Sequence, residues 1–265
     1  MKNRYLNYLK LFWQLFKTDC VIFNQFLIGE FINIAIWFSC AVLVTGYIFQ
    51  LLGMFHGFGA FYALSMIMGE GYWRIWNTSF ELIDDLNGAK TMFYQFTLPL
   101  HYWMVFLKNI VFFAFKSFVF SMMTIPLCAA LLWSQLNFSQ LSILKFFFIF
   151  VLISFFLGSF YILLSSLAER VNTVRLVGIR VLFPLWMFGS IEFPLRAVFE
   201  SPDFKSWGYV VLLNPMTYAA EAIHSTVLGE AGFLKFWLCV SVVLILTIGF
   251  TVIGTWRFKK RLDLV

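Results

Sequence analysis

The amino-acid sequence predicts an all-α polytopic membrane protein, and three observations carry the prediction. Only 12% of the 265 residues are charged, where a water-exposed domain carries about a quarter. Residues 31–52, 146–168 and 236–256 run 22, 23 and 21 positions without a charge, each near the roughly 20 residues a helix needs to cross the hydrocarbon. The basic residues are also sorted: 14 of 19 fall at the termini or in alternate connections between the apolar runs, the pattern that membrane insertion produces.

The elements follow in order. Tyr5, Leu9, Phe12 and Phe16 recur at helical spacing, with Asn3, Asn7, Lys10, Gln14 and Lys17 opposite. Residues 1–27 therefore read as an amphipathic helix lying flat at the headgroups. The opening MKNRYLNYLK has no small-residue cleavage site and does not read as a removable signal. Six spans occupy residues 28–256. The first is 31–52; the second runs from Gly53 to about Trp76, interrupted by Glu70 and Arg74; the third runs from Trp103 past Pro126 to Trp133; the fourth is 146–168. The fifth, from Leu176, is broken by Arg180, Pro184, Glu192 and Pro194. Four of the six prolines lie between Pro184 and Pro215, so this segment is no plain rod. Such irregular backbone is tolerated at membrane depth only beside protein or water. The sixth span is 236–256, and residues 257–265 form a basic tail. The whole chain reads as a single transmembrane domain, 1–265.

An even span count puts both termini on one side, and the charge bias makes that side cytoplasmic. The net charge of +6 is thereby explained without a nucleic-acid partner. Cys20, Cys40, Cys128 and Cys239 are far apart, without metal-ligand spacing, and read as packing residues.

Between spans five and six stands LLNPMTYAAEAIHSTVLGEAGF. Asn214 suits an N-cap, Pro215 the first helical position and Gly229 the stop. A helix from Pro215 to Leu228 would be about 21 Å long, too short to span. It reads as a re-entrant helix on the outer side, with the polar face of Thr217, Glu221, His224 and Ser225 meeting water. Glu221 and His224 stand three residues apart, but the chain has only three histidines, scattered at 56, 101 and 224, and no metal or acid–base site is read from them.

NPMTYAAEAIHSTVLG, the fifth-span exit FPLWMFGSIEFPL and the basic tail WRFKKRLDLV together resemble the type-2 permeases of ABC transporters. The resemblance implies an exporter membrane subunit, not itself an enzyme, that pairs with a second copy, a homodimer, in the cell inner membrane. It implies a separate ATPase subunit that binds ATP and Mg. The chain itself has no Walker A motif and no Gly-Lys dipeptide, so it holds no such cofactor. The resemblance further implies a cytoplasmic coupling helix between spans two and three, placed at Phe96, Thr97, Leu98, Pro99, Leu100, His101 and Tyr102. It also implies an outer gate, to which we assign Pro194, Asn214, Pro215, Glu221 and His224. The cargo implied is amphipathic: lipid-linked, glycan-bearing or a drug.

Lys116 lies about 20 Å along a helix from Trp103, near mid-bilayer, where a charge costs at least about 3 kcal/mol. It therefore needs either an intramembrane partner, for which Glu70 and Glu30 are candidates, or an anionic group in a translocation path. The 36 phenylalanines read first as packing and lipid-facing residues. A lipid-modifying membrane enzyme would require converging His, Asp, Glu or Ser residues, which are not evident. A secondary transporter would require internal repeats and midplane carboxylates, of which only Glu70 is a candidate.

Overall fold

In hydrocarbon the backbone has no hydrogen-bond partner but itself, and these apolar runs form helix throughout. The computed structural model describes residues 2–55, 57–135, 141–229 and 234–262, with side chains from Asn7 onward. The Tyr5 side chain of the expected apolar stripe, His56 and the last three residues of the tail lie outside what is described. Among the described residues there is no strand.

The chain begins with α1 (Lys2–Leu43), which continues through a π-helical turn (Val44–Ile48) into α2 (Phe49–Leu51). Then come α3 (Phe58–Asn87), α4 (Thr91–Thr97), α5 (Tyr102–Leu131) and α6 (Ile143–Leu167). Next, α7 (Val171–Val177) passes through a second π turn (Gly178–Leu182) into α8 (Phe183–Met187). Three short helices, α9 (Leu195–Glu200), α10 (Lys205–Leu212) and α11 (Pro215–Val227), precede α12 (Phe236–Leu262).

Among the described residues four helices are long and apolar enough to cross a membrane: the rod Asn7–Leu51, α5, α6 and α12. A chain with four such helices is a membrane-embedded protein. The expected second and fifth spans are not among them. The second, α3, has ample length at 30 residues but carries a polar stripe. It also runs to Asn87 rather than stopping near Trp76, because its polar residues recur on one face and leave the rest apolar. The fifth is short: residues 171–187 make a rod of about 25 Å that ends in the turn before Pro194.

The N-terminal segment differs most from expectation. No break separates residues 1–27 from the first span; α1 runs straight through. Part of its apolar surface lies on α5 instead of standing apart, while Leu9 of the expected stripe stays exposed. Phe16 meets Phe112 and Phe115, and Phe23 meets Phe112, Phe115 and Phe120. The physical reason is that the stripe finds a protein surface, and Asp19 beside it finds a buried cation, described below.

At the centre stands α6, packed against α5, α3, α11 and α12. Close approach is permitted by small residues. At Gly158 an added Cβ would lie 2.7 Å from the Ile110 carbonyl of α5, and at Gly59 one would lie 2.3 Å from the Gly46 Cα.

Both π turns leave backbone carbonyls to satisfy, and in each a neighbouring side chain donates. Gln135 Nε2 donates to the Gly46 carbonyl at 2.9 Å, and the Tyr72 hydroxyl to the Leu182 carbonyl at 2.6 Å.

The contacts define two ends of the bundle. At one, Tyr8 packs on His101, Lys259 sits over Tyr102, and Arg261 donates to the carbonyls of Ala168 and Glu169. The start of α1, the end of α12, the α3–α5 connection and the α6–α7 connection therefore meet there. At the other, Gly46 meets Gly59, and the Ser142 amide donates to the Thr226 carbonyl.

Candidate functional site

Three helices each contribute one stripe to a cavity of about 460 Å³. From α1 come Asp19, Phe23 and Glu30; from α3 come Arg74, Asn77, Thr78 and Glu81; from α5 come Phe112, Lys116 and Phe120. These positions recur at three, four and seven residues, so each helix presents one face. A neighbouring cavity of about 300 Å³ shares Glu30, Arg74 and Asn77 and adds Glu70. The polar stripe of α3 thus runs Glu70, Arg74, Asn77 or Thr78, Glu81.

The charges here are mostly paired. Lys108 Nζ donates to Asp19 Oδ2 at 2.7 Å, and Arg74 donates to Glu30 Oε2 at 3.1 Å. The Arg74 guanidinium also lies 3.4 Å from the centre of the Phe120 ring, a cation–π contact that holds its orientation. Arg74 Nε and Thr78 Oγ1 are buried without a hydrogen-bond partner.

Two sequence expectations are corrected at this site. Lys116 pairs with neither Glu30, which holds Arg74, nor Glu70; it lines the cavity alongside Glu81. Lys108, counted among the basic residues of a connection, is instead 2% exposed inside α5. Packing decides both, since Asp19 and Arg74 arrive from helices distant in sequence. Asp19, Asn77, Thr78 and Glu81 were not singled out as site residues. The one signal that marks part of the set is the recurrence of polar residues at positions 70, 74, 77, 78 and 81 of α3.

The expected outer-gate residues gather at the other end. Asn214 caps α11, accepting the Met216 amide at 2.9 Å, and its Nδ2 donates to the Leu185 carbonyl at 2.7 Å. Pro215 opens α11, and Gly229 follows it at φ 69°. Pro194 is the residue preceding α9. The polar face of α11, however, does not meet water. Glu221 and His224 are 3% and 2% exposed. Ser190 Oγ donates to Glu221 Oε1 at 2.8 Å, and His224 Nε2 shares a 2.9 Å hydrogen bond with Ser65 Oγ of α3. Polar side chains packed between helices are worth more there as pins than as a wet surface, so α11 is locked into the bundle. Among the described residues no three His, Cys, Asp or Glu side chains gather to hold a metal ion.

The segment expected to hold a coupling helix, Phe96–Tyr102, is not one helix. The short helix is α4, Thr91–Thr97, so only Phe96 and Thr97 of the expected set are helical within it. Leu98 is extended at φ −70°, ψ 153°, as a residue before proline prefers. Pro99 therefore ends α4; Leu100 and His101 complete the turn, and Tyr102 starts α5. The start of α4 is tied to α3: Asp85 Oδ1 accepts the Thr91 amide at 3.0 Å and Oδ2 the Met92 amide at 2.9 Å. No protein-family model matches the chain, and no match is found among curated proteins.

Proposed function

We propose that the chain is the membrane-spanning permease subunit of an ABC exporter, driven by ATP hydrolysed on a separate subunit. In this reading α3 and the rod 171–187 serve as the second and fifth of six spans. The end of the bundle that gathers the termini, the connections and most of the basic residues is cytoplasmic, in the cell inner membrane. Two copies pair to enclose the path for an amphipathic, lipid-linked, glycan or drug cargo.

The observation that carries the reading is α4. It is a short helix at the basic end, tied by Asp85 to α3 and joined through Pro99 to α5. Those two helices form two walls of the charged cavity. A push on α4 from a nucleotide-driven partner would reach the cavity through rigid elements, where a flexible loop would absorb it. The test is reconstitution with the lone ATPase domain encoded nearest the gene. We expect a stable complex whose ATP turnover rises with lipid, glycan or drug cargo and falls when α4 is altered. A chain that ignores every candidate ATPase and transports alone would refute it.

The carboxylates Glu30, Glu70 and Glu81 in joined cavities favour one second reading, an ion-coupled secondary transporter. That reading expects transport in vesicles without nucleotide, abolished by an ionophore.

A further inference from the structure

We infer that the cavity between α1, α3 and α5 binds the zwitterionic phosphate–amine headgroup of a membrane lipid, phosphoethanolamine in type. The argument starts from charge accounting. Asp19 is neutralised by Lys108 and Glu30 by Arg74. Lys116 and Glu81 line the same cavity, yet among the described residues neither has a counter-ion within 4.0 Å. The two attract one another across the cavity without closing to a contact, so one cation and one anion with hydrogen-bonding capacity to spare border one space.

A simple anion would satisfy Lys116 and be repelled by Glu81, and a simple cation the reverse. A group carrying both signs satisfies both. The unpartnered atoms point the same way. Arg74 Nε and Thr78 Oγ1, both buried, offer an N–H and an O–H to phosphate oxygens beside the Lys116 ammonium. Glu81, with the exposed Asn77 next to it, offers acceptors to a primary ammonium. Charge-assisted hydrogen bonds of this kind are the strong ones. A quaternary amine has no N–H to give, so choline headgroups are disfavoured.

A lipid, rather than a soluble molecule, fits the outer wall. Ile22 and Phe26 line the cavity and are 52% and 64% exposed, so the charged space borders apolar surface on which acyl chains can lie. The volume falls within the roughly 300–1,000 Å³ of small-molecule sites. The inference needs only that the chain sits in a bilayer, and it stands or falls separately from any ATPase.

The test uses the purified full-length chain alone in detergent, titrated with phosphatidylethanolamine, phosphatidylglycerol or phosphatidylcholine, with retained lipid counted by native mass spectrometry. We expect phosphatidylethanolamine to be retained about tenfold more tightly than either of the others. Lys116→Met should remove that binding, and Glu81→Gln should reduce the preference over phosphatidylglycerol to about twofold or less. Equal retention of all three lipids would overturn the inference, as would an unchanged preference in Glu81→Gln. Should Lys116→Met fail to fold, Glu81→Gln decides, because its side chain is exposed. Glycerophosphoethanolamine is the soluble arm. Failure to displace the lipid at equal concentration supports a lipid site, and displacement overturns the lipid assignment in favour of a soluble phosphoamine.

Discussion

Replacing Asp19 by Asn tests the packing of the N-terminal segment most directly. The Lys108 side chain is 3% exposed and the Asp19 side chain 23%, so Asp19→Asn strands an ammonium among apolar neighbours. Breaking a buried pair by removing one partner costs about 3 to 5 kcal/mol. The lower end applies here, because Asp19 borders the cavity and water there can compensate part of the loss. About 3 kcal/mol corresponds to a fall in melting temperature of roughly 6–12 °C for a chain of this size. The double variant Asp19→Asn, Lys108→Met removes the stranded charge as well, and replacing a buried ion pair by uncharged side chains of similar volume is often neutral or stabilising by about 1–4 kcal/mol. The double variant should therefore be more stable than Asp19→Asn alone, and with Lys108→Met as the second single variant the cycle should give a coupling of about 2 kcal/mol. Thermal unfolding in micelles, followed by tryptophan fluorescence, measures all three. If Asp19→Asn melts with the wild type, or the two losses simply add, the N-terminal segment does not lie against α5 and the interfacial helix returns.

Three further predictions follow from individual contacts. Gly158→Leu should cost more than about 3 kcal/mol, because the side chain would enter the space of the Ile110 carbonyl and overpacking there has nowhere to relax; loss of the monodisperse peak on size exclusion checks it, with Gly249→Leu, where an added Cβ meets nothing within 4 Å, as the control. Asp85→Ala removes both caps of α4 and should cost about 1 kcal/mol locally, read as faster amide exchange at Thr91 and Met92. Under the permease reading it also lowers cargo-stimulated ATP turnover, while the exposed Asp84→Ala leaves both unchanged. Ser65→Ala leaves His224 Nε2 buried without its partner and should lower stability by about 1 to 3 kcal/mol; unchanged unfolding would show that α11 is not pinned to α3 there.

Much of the secondary structure was legible in one dimension because its causes are local. A run of 23 uncharged residues at 146–168 became α6 because the bilayer leaves its backbone only helix. Asn214, Pro215 and Gly229 marked the two ends of α11 through capping, proline geometry and positive φ, which involve neighbours a few residues away. The end of α4 was misread for an equally local reason, since Pro99 and the extended Leu98 before it stop the helix that the resemblance had carried on to Tyr102.

The candidate site was only partly legible, because its residues are joined by packing. Lys116 stood out as a charge in an apolar run, but that pattern could not reveal that Arg74 takes Glu30, that Asp19 takes Lys108, or that Glu81 shares the cavity with Lys116. Nor could the amphipathic pattern of α11 distinguish water from a neighbouring helix as the partner of Glu221 and His224. The sequence by itself determined an apolar, helical, membrane-embedded chain and where several helices begin and end, because length, hydrophobicity and capping act along the backbone. Which charges meet in contact pairs, which do not and which polar faces are buried was decided by the tertiary structure alone, because those energies depend on distances between helices far apart in the chain.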